Sequence, residues 1–162
     1  MSAVTIRPAT RGDVPLVLDL IRGLAEYEKL AHECVATEAR LTETLFGARP
    51  QAEVLIASAD GAAAGFALFF PNYSTFLARQ GIYLEDLFVK PEFRGRGIGR
   101  ALLARLAQLA VERGCGRLEW SVLDWNVDAI RFYQSLGAKA MDDWTVYRVT
   151  GEALGRLAGA VP

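Results

Sequence analysis

A glycine-rich turn between an apolar run and an amphipathic segment constrains the fold most. The apolar run ends at Val89, a turn containing Pro91 follows, and residues 94–99 read Arg-Gly-Arg-Gly-Ile-Gly. From about Gly97 to Glu112, apolar residues recur at helical spacing. The pattern therefore predicts a strand, a tight turn and a helix, in that order.

The start of this predicted helix is suited to binding an anion. Its first backbone N–H groups have no partner within the helix, and the helix dipole is positive at this end. Arg94, Arg96 and Arg100 add positive charge at the same place, which favours a polyanion such as a pyrophosphate. The dinucleotide fingerprint fails at its third glycine, and the Lys-Ser/Thr pair of a Walker loop is absent. A glycine-rich turn without a ligand remains the alternative.

The rest of the chain predicts a mixed sheet with flanking helices. Asp60 and Gly61 are typical of a hairpin turn, Pro71 is expected to end a strand, and Asp13 and Asn126 are suited to capping helices. We predict strands at 4–8, 53–59, 63–70, 82–89, 118–123 and 144–149, and helices at 13–28, 37–46, 97–112, 126–137 and 151–157. Helices and hairpins in this mixed order indicate an α/β protein with a mixed (α+β) sheet, folded as a single domain over residues 1–162.

Composition argues against several classes of function. The 18 basic and 19 acidic residues give a net charge of −1, which offers no general attraction to nucleic acid or membranes. No apolar run reaches membrane-spanning length. Cys34 and Cys115 lack metal-ligand spacing, and His32 is the only histidine, so we expect neither a metal site nor a catalytic triad. With no signal-peptide pattern, the cysteines favour a reducing, cytoplasmic location.

Short motifs spread along the whole chain carry a family resemblance. Besides the turn, written Arg-x-x-Gly-x-Gly, they are Ile6–Thr10, Tyr27–Glu28, Tyr83–Asp86, Val122–Asn126, Phe132–Tyr133 and Leu136–Ala138. The set resembles the diamine acetyltransferase family of the GNAT superfamily, which includes spermidine/spermine and thialysine N-epsilon-acetyltransferases. Val122–Asn126 and Gly151–Leu154 look more like the thialysine branch.

The resemblance implies a sheet splayed at its middle, with acetyl-CoA in the splay and no metal. It also implies a homodimer whose amine pocket lies near the subunit interface. The cofactor residues that it implies are Leu87, Phe88 and Val89 for the pantetheine arm, Arg94, Gly95, Arg96, Gly97, Ile98, Gly99 and Arg100 for the pyrophosphate, and Asn126, Val127, Asp128, Ala129 and Tyr133 beside them.

An active site that forms an amide from an amine and a thioester must assist the reaction in three ways. The amine must lose a proton, the carbonyl oxygen needs stabilisation, and the departing thiolate needs a proton. By family analogy, the Val89 amide polarises the thioester carbonyl. Tyr133 stands at the family's general-acid position, and a phenol with a pKa near ~10 is protonated at neutral pH. The alternative for Tyr133 is simple packing of its ring.

Acidic residues are the candidates for amine binding. Glu85 and Asp86 are adjacent in an apolar strand, so we expect them on opposite faces, with at least one facing a polar cavity. Glu85 is the candidate water-relayed base and ammonium ligand, and Asp86 either does the same or contacts a partner subunit. Structural ion pairs remain the alternative. Tyr27, Glu28 and Asp142 are further candidate ammonium contacts, although exposed polar faces would explain them too.

Two departures from the family concern the amine pocket. Asp143 stands where the family usually has Gly before the tryptophan, here Trp144, and residues 71–81 contain no carboxylate. The charge of Asp143 implies an altered amine pocket. The missing carboxylate favours shorter amines or a thialysine-like amino acid, whose own carboxylate could pair with Arg79 or Arg131. We therefore predict an acetyl-CoA-dependent N-acetyltransferase of a small aliphatic amine, acting by direct attack in a ternary complex. A protein lysine or N-terminal acetyltransferase and a non-catalytic acyl-CoA-binding sensor remain alternatives.

Overall fold

The computed structural model describes residues 3–160, which fall into two compact units, 3–121 and 122–160. The first unit holds a sheet of five strands: β1 (Thr5–Pro8), β2 (Glu53–Ala59), β3 (Ala62–Ser74), β4 (Arg79–Val89) and β5 (Leu118–Trp120). Its helices are α1 (Val14–Tyr27), α2 (Glu38–Phe46) and α3 (Ile98–Glu112), with short 3-10 turns at Arg11–Asp13, Ala31–Glu33 and Pro91–Phe93. The second unit holds α4 (Val127–Ser135) and α5 (Gly151–Ala158).

The strands lie in chain order across the sheet. All neighbours are antiparallel except β4 and β5, which run parallel. The predicted mixed α/β fold is confirmed. Asp60 and Gly61, which join β2 to β3, have φ values of 56° and 76°, the left-handed conformation that a tight hairpin turn requires.

Two predicted strand features are wrong. Pro71 does not end β3, which continues to Ser74. Pairing with β2 stops at Phe69, so at Pro71 the strand has only β4 as a neighbour, and an edge position tolerates a missing N–H. The predicted strand at 144–149 is not formed in the described structure. Its residues alternate as a strand would, but a strand needs a hydrogen-bonding partner, and none of the described strands pairs with it.

The start of α1 is tied to β1 by one carboxylate. Asp13 occupies the N-cap position, as predicted, but its side chain bonds upstream instead of capping helix amides. It accepts from both terminal nitrogens of Arg7, at 2.7 and 2.8 Å, and from the amide of Thr10 at 2.7 Å. The Arg7 guanidinium, followed by the Thr10 amide, lowers the pKa of Asp13.

One face of the sheet packs against α1 and α2. The shared apolar core includes Leu24 of α1, Leu45 of α2, Phe66 of β3 and Phe88 of β4. Gly23 makes close packing possible, because a Cβ at this position would lie 2.9 Å from Cε1 of Phe88. Glycine thus allows the last turns of α1 to approach β4. The buried residues of α3, among them Ile98, Leu102 and Leu106, lie outside this core cluster, and α3 contacts β3 and β4 from the other face.

Candidate active site

The glycine-rich turn leads directly into α3, as predicted. Gly95 and Gly97 have φ values of 74° and 78°, and Gly97 is the N-cap of α3. A side chain at either position would be strained by this conformation, although no atom within 4 Å would obstruct it. The space over the turn is therefore open, and the first amides of α3 are available to an anion.

The three arginines predicted at the phosphates have different surroundings. The Nη2 of Arg96 lies 2.7 Å from Oδ2 of Asp60, in the β2–β3 turn. Arg94 donates from Nε to the carbonyl oxygen of Val89 at 3.0 Å. Arg100 lies exposed on the first turn of α3. The protein itself thus engages two of the three guanidinium groups.

The sheet opens at the end of β4. Parallel pairing between β4 and β5 covers three residue pairs and stops at Leu84 and Trp120, whereas β4 continues to Val89. The next residue, Lys90, donates its amide to the Ala64 oxygen on the β3 side at 2.8 Å. Because successive residues of a strand direct their backbone groups to opposite edges, Val89 directs its N–H away from β3. The expected splay is therefore present, and Leu87, Phe88 and Val89 lie along its β4 edge, where an extended ligand arm can add like a strand.

A β-bulge lies at the point where the sheet opens. Leu68 pairs with Asp86 and Phe69 pairs with Leu84, so Glu85 has no partner on β3. Asp86 therefore shares a face with Leu68, which packs against the α1 core, whereas Leu84 lies on the other face. The bulge interrupts the regular alternation of β4 between Leu84 and Asp86, and the opposite orientation of Glu85 and Asp86 stays a prediction.

Three of the predicted amine-site residues form an acidic cluster. Burial, followed by the negative charges of Glu85 and Glu28, raises the pKa of Asp86 from its ordinary 3.8 to about 7. Burial, followed by the charge of Glu85, also raises the pKa of Glu28. Glu28 directly follows α1, and Glu85 is exposed. The cluster concentrates negative charge where a cation would relieve repulsion, and Asp86 changes its charge near neutral pH.

Tyr27, the last residue of α1, is also part of this region of the first unit. The Arg94 guanidinium lies over its ring, 4.5 Å from the ring centre. Sequence reasoning missed this contact, the Asp60–Arg96 ion pair and the bulge at Glu85. Residue spacing carries no signal for them, because each joins segments distant in the chain or depends on strand register.

The remaining predicted site residues belong to the second unit. The side chain of Asn126 accepts from the amide of Ala129 at 3.3 Å and caps α4, as predicted. Val127 and Asp128 form the exposed first turn of that helix. Tyr133 is half-buried on α4, with its ring 5.5 Å from that of Phe132. Asp142 is exposed outside the helices. The cofactor, acid and amine roles of these residues stay predictions.

Neither a metal cluster nor a membrane-spanning helix is found among residues 3–160. Within residues 3–160, no three His, Cys, Asp or Glu side chains are grouped so that they could hold a metal ion. None of the helices in this range is both long enough and apolar enough to cross a bilayer.

Comparison with known proteins identifies the family. The Acetyltransferase (GNAT) family model matches residues 22–138, most of the chain. The chain belongs to the GNAT acetyltransferase family. The protein is therefore an enzyme that transfers acetyl groups, and the matched range includes the glycine-rich turn, the acidic cluster and α4.

Relatives of this GNAT acetyltransferase match nearly its whole length. It is 42% identical to the thialysine N-epsilon-acetyltransferase of Bos taurus, over 98% of this chain and 99% of that protein. It is 39% identical to an L-ornithine N5-acetyltransferase of Arabidopsis thaliana, over 92% of this chain and 85% of the relative. Among solved structures, an aminoglycoside N-acetyltransferase in complex with CoA matches with a TM-score of 0.72 and 25% identity, over 92% of this chain and 96% of that one.

The raised pKa of Asp86 predicts a pH-dependent stability. The folded state binds the Asp86 proton more tightly than the unfolded state does. Protonated Asp86 therefore contributes to the free energy of unfolding at low pH, and this contribution is lost as pH rises from about 4 to about 7. We expect Asp86→Asn to raise the free energy of unfolding at pH 8 by roughly 1–3 kcal/mol, with little change at pH 4.

Urea unfolding at both pH values measures this difference. Asp19→Asn, on the exposed side of α1, is the matched control. An Asp86→Asn protein with the same pH dependence as the wild type would show that the acidic cluster does not strain the fold.

Proposed function

We propose that this GNAT acetyltransferase moves an acetyl group from acetyl-CoA to the primary amine of a small aliphatic substrate, a diamine, polyamine or thialysine-like amino acid. The observation that carries the proposal is the acidic cluster of Glu28, Glu85 and Asp86 on and beside the open end of β4. The cluster attracts an alkylammonium, and it lies beside the open edge of β4 to which the cofactor can bind. The thialysine and ornithine acetyltransferases among the relatives support the same substrate class.

Acetyl-CoA fits the features of the first unit. The pantetheine arm would lie along Leu87–Val89, the part of β4 that β5 leaves unpaired. The pyrophosphate would lie over residues 95–100, against the first amides of α3 and the guanidinium of Arg100. The capped start of α4, at Asn126–Ala129, would flank the cofactor.

Each of the predicted catalytic residues would then assist one step of a direct attack of the amine on acetyl-CoA. The alkylammonium, with a pKa near ~10.4 in water, loses its proton through a water to Glu85, and Asp86 serves as a second acceptor. The amine nitrogen attacks the thioester carbon, and the amide of Val89 stabilises the developing oxyanion. The C–S bond breaks, Tyr133 gives its phenolic proton to the thiolate of CoA, and the surplus proton on the attacking nitrogen restores the phenol as the amide forms.

A substrate panel tests the function. Release of CoA thiol from acetyl-CoA is measured with thialysine, ornithine, lysine, putrescine, spermidine and a peptide containing lysine. We expect turnover with at least one small amine and none with the peptide, because the acidic cluster recognises a compact cation. Turnover confined to the peptide would indicate a protein acetyltransferase. Tight acetyl-CoA binding without any turnover would indicate a sensor.

Tyr133 is tested by removing its hydroxyl alone. We expect Tyr133→Phe to lower kcat by about 100-fold or more, because the thiolate loses its proton donor, and to leave the Kd for acetyl-CoA within about twofold. Tyr73→Phe, which removes an exposed hydroxyl from β3, is the control. Normal turnover in Tyr133→Phe would remove this residue from the mechanism.

We propose that the enzyme is a homodimer, because the second unit exposes many large apolar side chains. Trp144 is 78% exposed and Tyr147 91% exposed, with Met141, Val146 and Val149 between and around them. We expect sedimentation to give a dimer mass at micromolar concentration, and Trp144→Lys to shift it toward the monomer. The equally exposed Val35→Lys, in the first unit, is the control. A wild-type monomer at every concentration would contradict the proposal.

We further propose that residues 1–162 act as one acetyltransferase domain in the cytoplasm. The family match crosses from the first unit into the second, which supports one acetyltransferase domain. The free thiols of Cys34 and Cys115 support a reducing compartment.

A further inference from the structure

Arg94, the first residue of the glycine-rich turn, contacts two other segments of the first unit. Its Nε donates to the carbonyl oxygen of Val89 at 3.0 Å, at the end of β4. Its guanidinium carbon lies 4.5 Å from the ring centre of Tyr27 and 5.8 Å from that of Phe88. One side chain therefore links the turn, the open end of β4 and the last turn of α1.

The contact with Val89 orients the backbone at the open edge. The peptide between Val89 and Lys90 is held from both sides, since the Lys90 amide donates to Ala64 at 2.8 Å and the Val89 oxygen accepts from Arg94. The peptide plane cannot rotate without breaking one of these bonds. Arg94 thus helps to orient the strand end that is proposed to face the thioester.

The contact with Tyr27 reaches the proposed amine site. Tyr27 precedes Glu28, which interacts electrostatically with Glu85 and Asp86. Gly23 lets this end of α1 lie close to Phe88, whose ring is also near the Arg94 guanidinium. Movement of Arg94 would therefore disturb the place where the acidic cluster meets α1.

We propose that Arg94 is a positioning residue that couples the cofactor turn to the amine-binding end of α1, instead of serving as a phosphate ligand. The inference rests on the proposed function for the identity of the two ligands. A turn ordered by acetyl-CoA keeps Arg94 over Tyr27 and so keeps Glu28 in place. Since coupling between two binding sites is reciprocal, a change at Tyr27 weakens acetyl-CoA binding as well.

The chemistry of arginine separates this role from phosphate binding. A planar guanidinium can stack on a ring and donate from Nε within its plane at the same time, which the ammonium of lysine cannot do. Lysine does bind phosphate, as a point charge. Arg94→Lys should therefore preserve a phosphate contact but lose the link between Val89 and Tyr27.

The experiment is a double-mutant cycle on the Kd for acetyl-CoA, measured by titration of the full chain. The variants are Arg94→Lys, Arg94→Ala, Tyr27→Ala and the Arg94→Lys/Tyr27→Ala pair. We expect each single change to weaken binding by roughly three- to tenfold, and the double variant to bind no more weakly than the weaker single variant. The KM for the amine should rise in the same variants. Arg105→Ala, which removes an α3 guanidinium that lies 3.1 Å from Glu112, is the control and should leave the Kd unchanged.

The outcomes separate the inference from the proposed function. A wild-type Kd for acetyl-CoA in Arg94→Lys and in Tyr27→Ala would overturn the inference and would favour a phosphate-binding role for Arg94. Additive losses would overturn it too, because independent contacts add. A wild-type protein that binds acetyl-CoA but acetylates no amine would refute the proposed substrate class, and the cycle would still test Arg94. A wild-type protein that binds no acetyl-CoA would overturn both. Because the cycle uses Arg94→Lys, it does not depend on Arg94→Ala folding.

Discussion

The site depends on β4 having different neighbours along its length. Near its start β4 pairs with both β3 and β5, but the parallel ladder to β5 ends at Leu84 and only β3 remains. The bulge at Glu85 falls at the same point and moves Asp86 to the face covered by α1. The end of the β5 ladder therefore exposes a backbone edge, and the bulge on the β3 side places a carboxylate beside it. Unpaired backbone groups are costly when buried, so such an edge suits a ligand that can pair with it.

Electrostatics gives this edge its chemical character. The chain supplies neither a metal cluster in residues 3–160 nor a sequence pattern for a nucleophilic triad. It does bring Glu28 and Asp86 close to Glu85, and burial together with the charge of Glu85 raises the pKa of both. Directly after the glycine-rich turn, the positive N-terminal end of α3 and Arg100 lie close together. A positive region for the phosphates and a negative region for the ammonium thus belong to the same unit, which suits a reaction between a polyanionic donor and a cationic acceptor.

Local patterns predicted most elements and missed those that depend on partners. The Asp60–Gly61 turn, the Asn126 cap of α4 and the entry into α3 at Gly97 were all predictable, because each depends on a few adjacent residues. The strand at 144–149 had the right alternation but has no described partner strand, and Pro71 was tolerated because β2 had already ended. Propensity describes what a segment can form, whereas pairing decides what it does form.

The sequence by itself determined the glycine-rich turn, the helix that follows it, and which acidic residues are available for the proposed chemistry. The tertiary structure alone decided how they are used. It turned Arg94 toward Tyr27 and Val89, paired Arg96 with Asp60, and raised the pKa of Asp86 to about 7. The reason is range: backbone conformation and helix caps depend on neighbours within a few residues, whereas burial, strand register and charge coupling depend on segments that meet only when the chain folds.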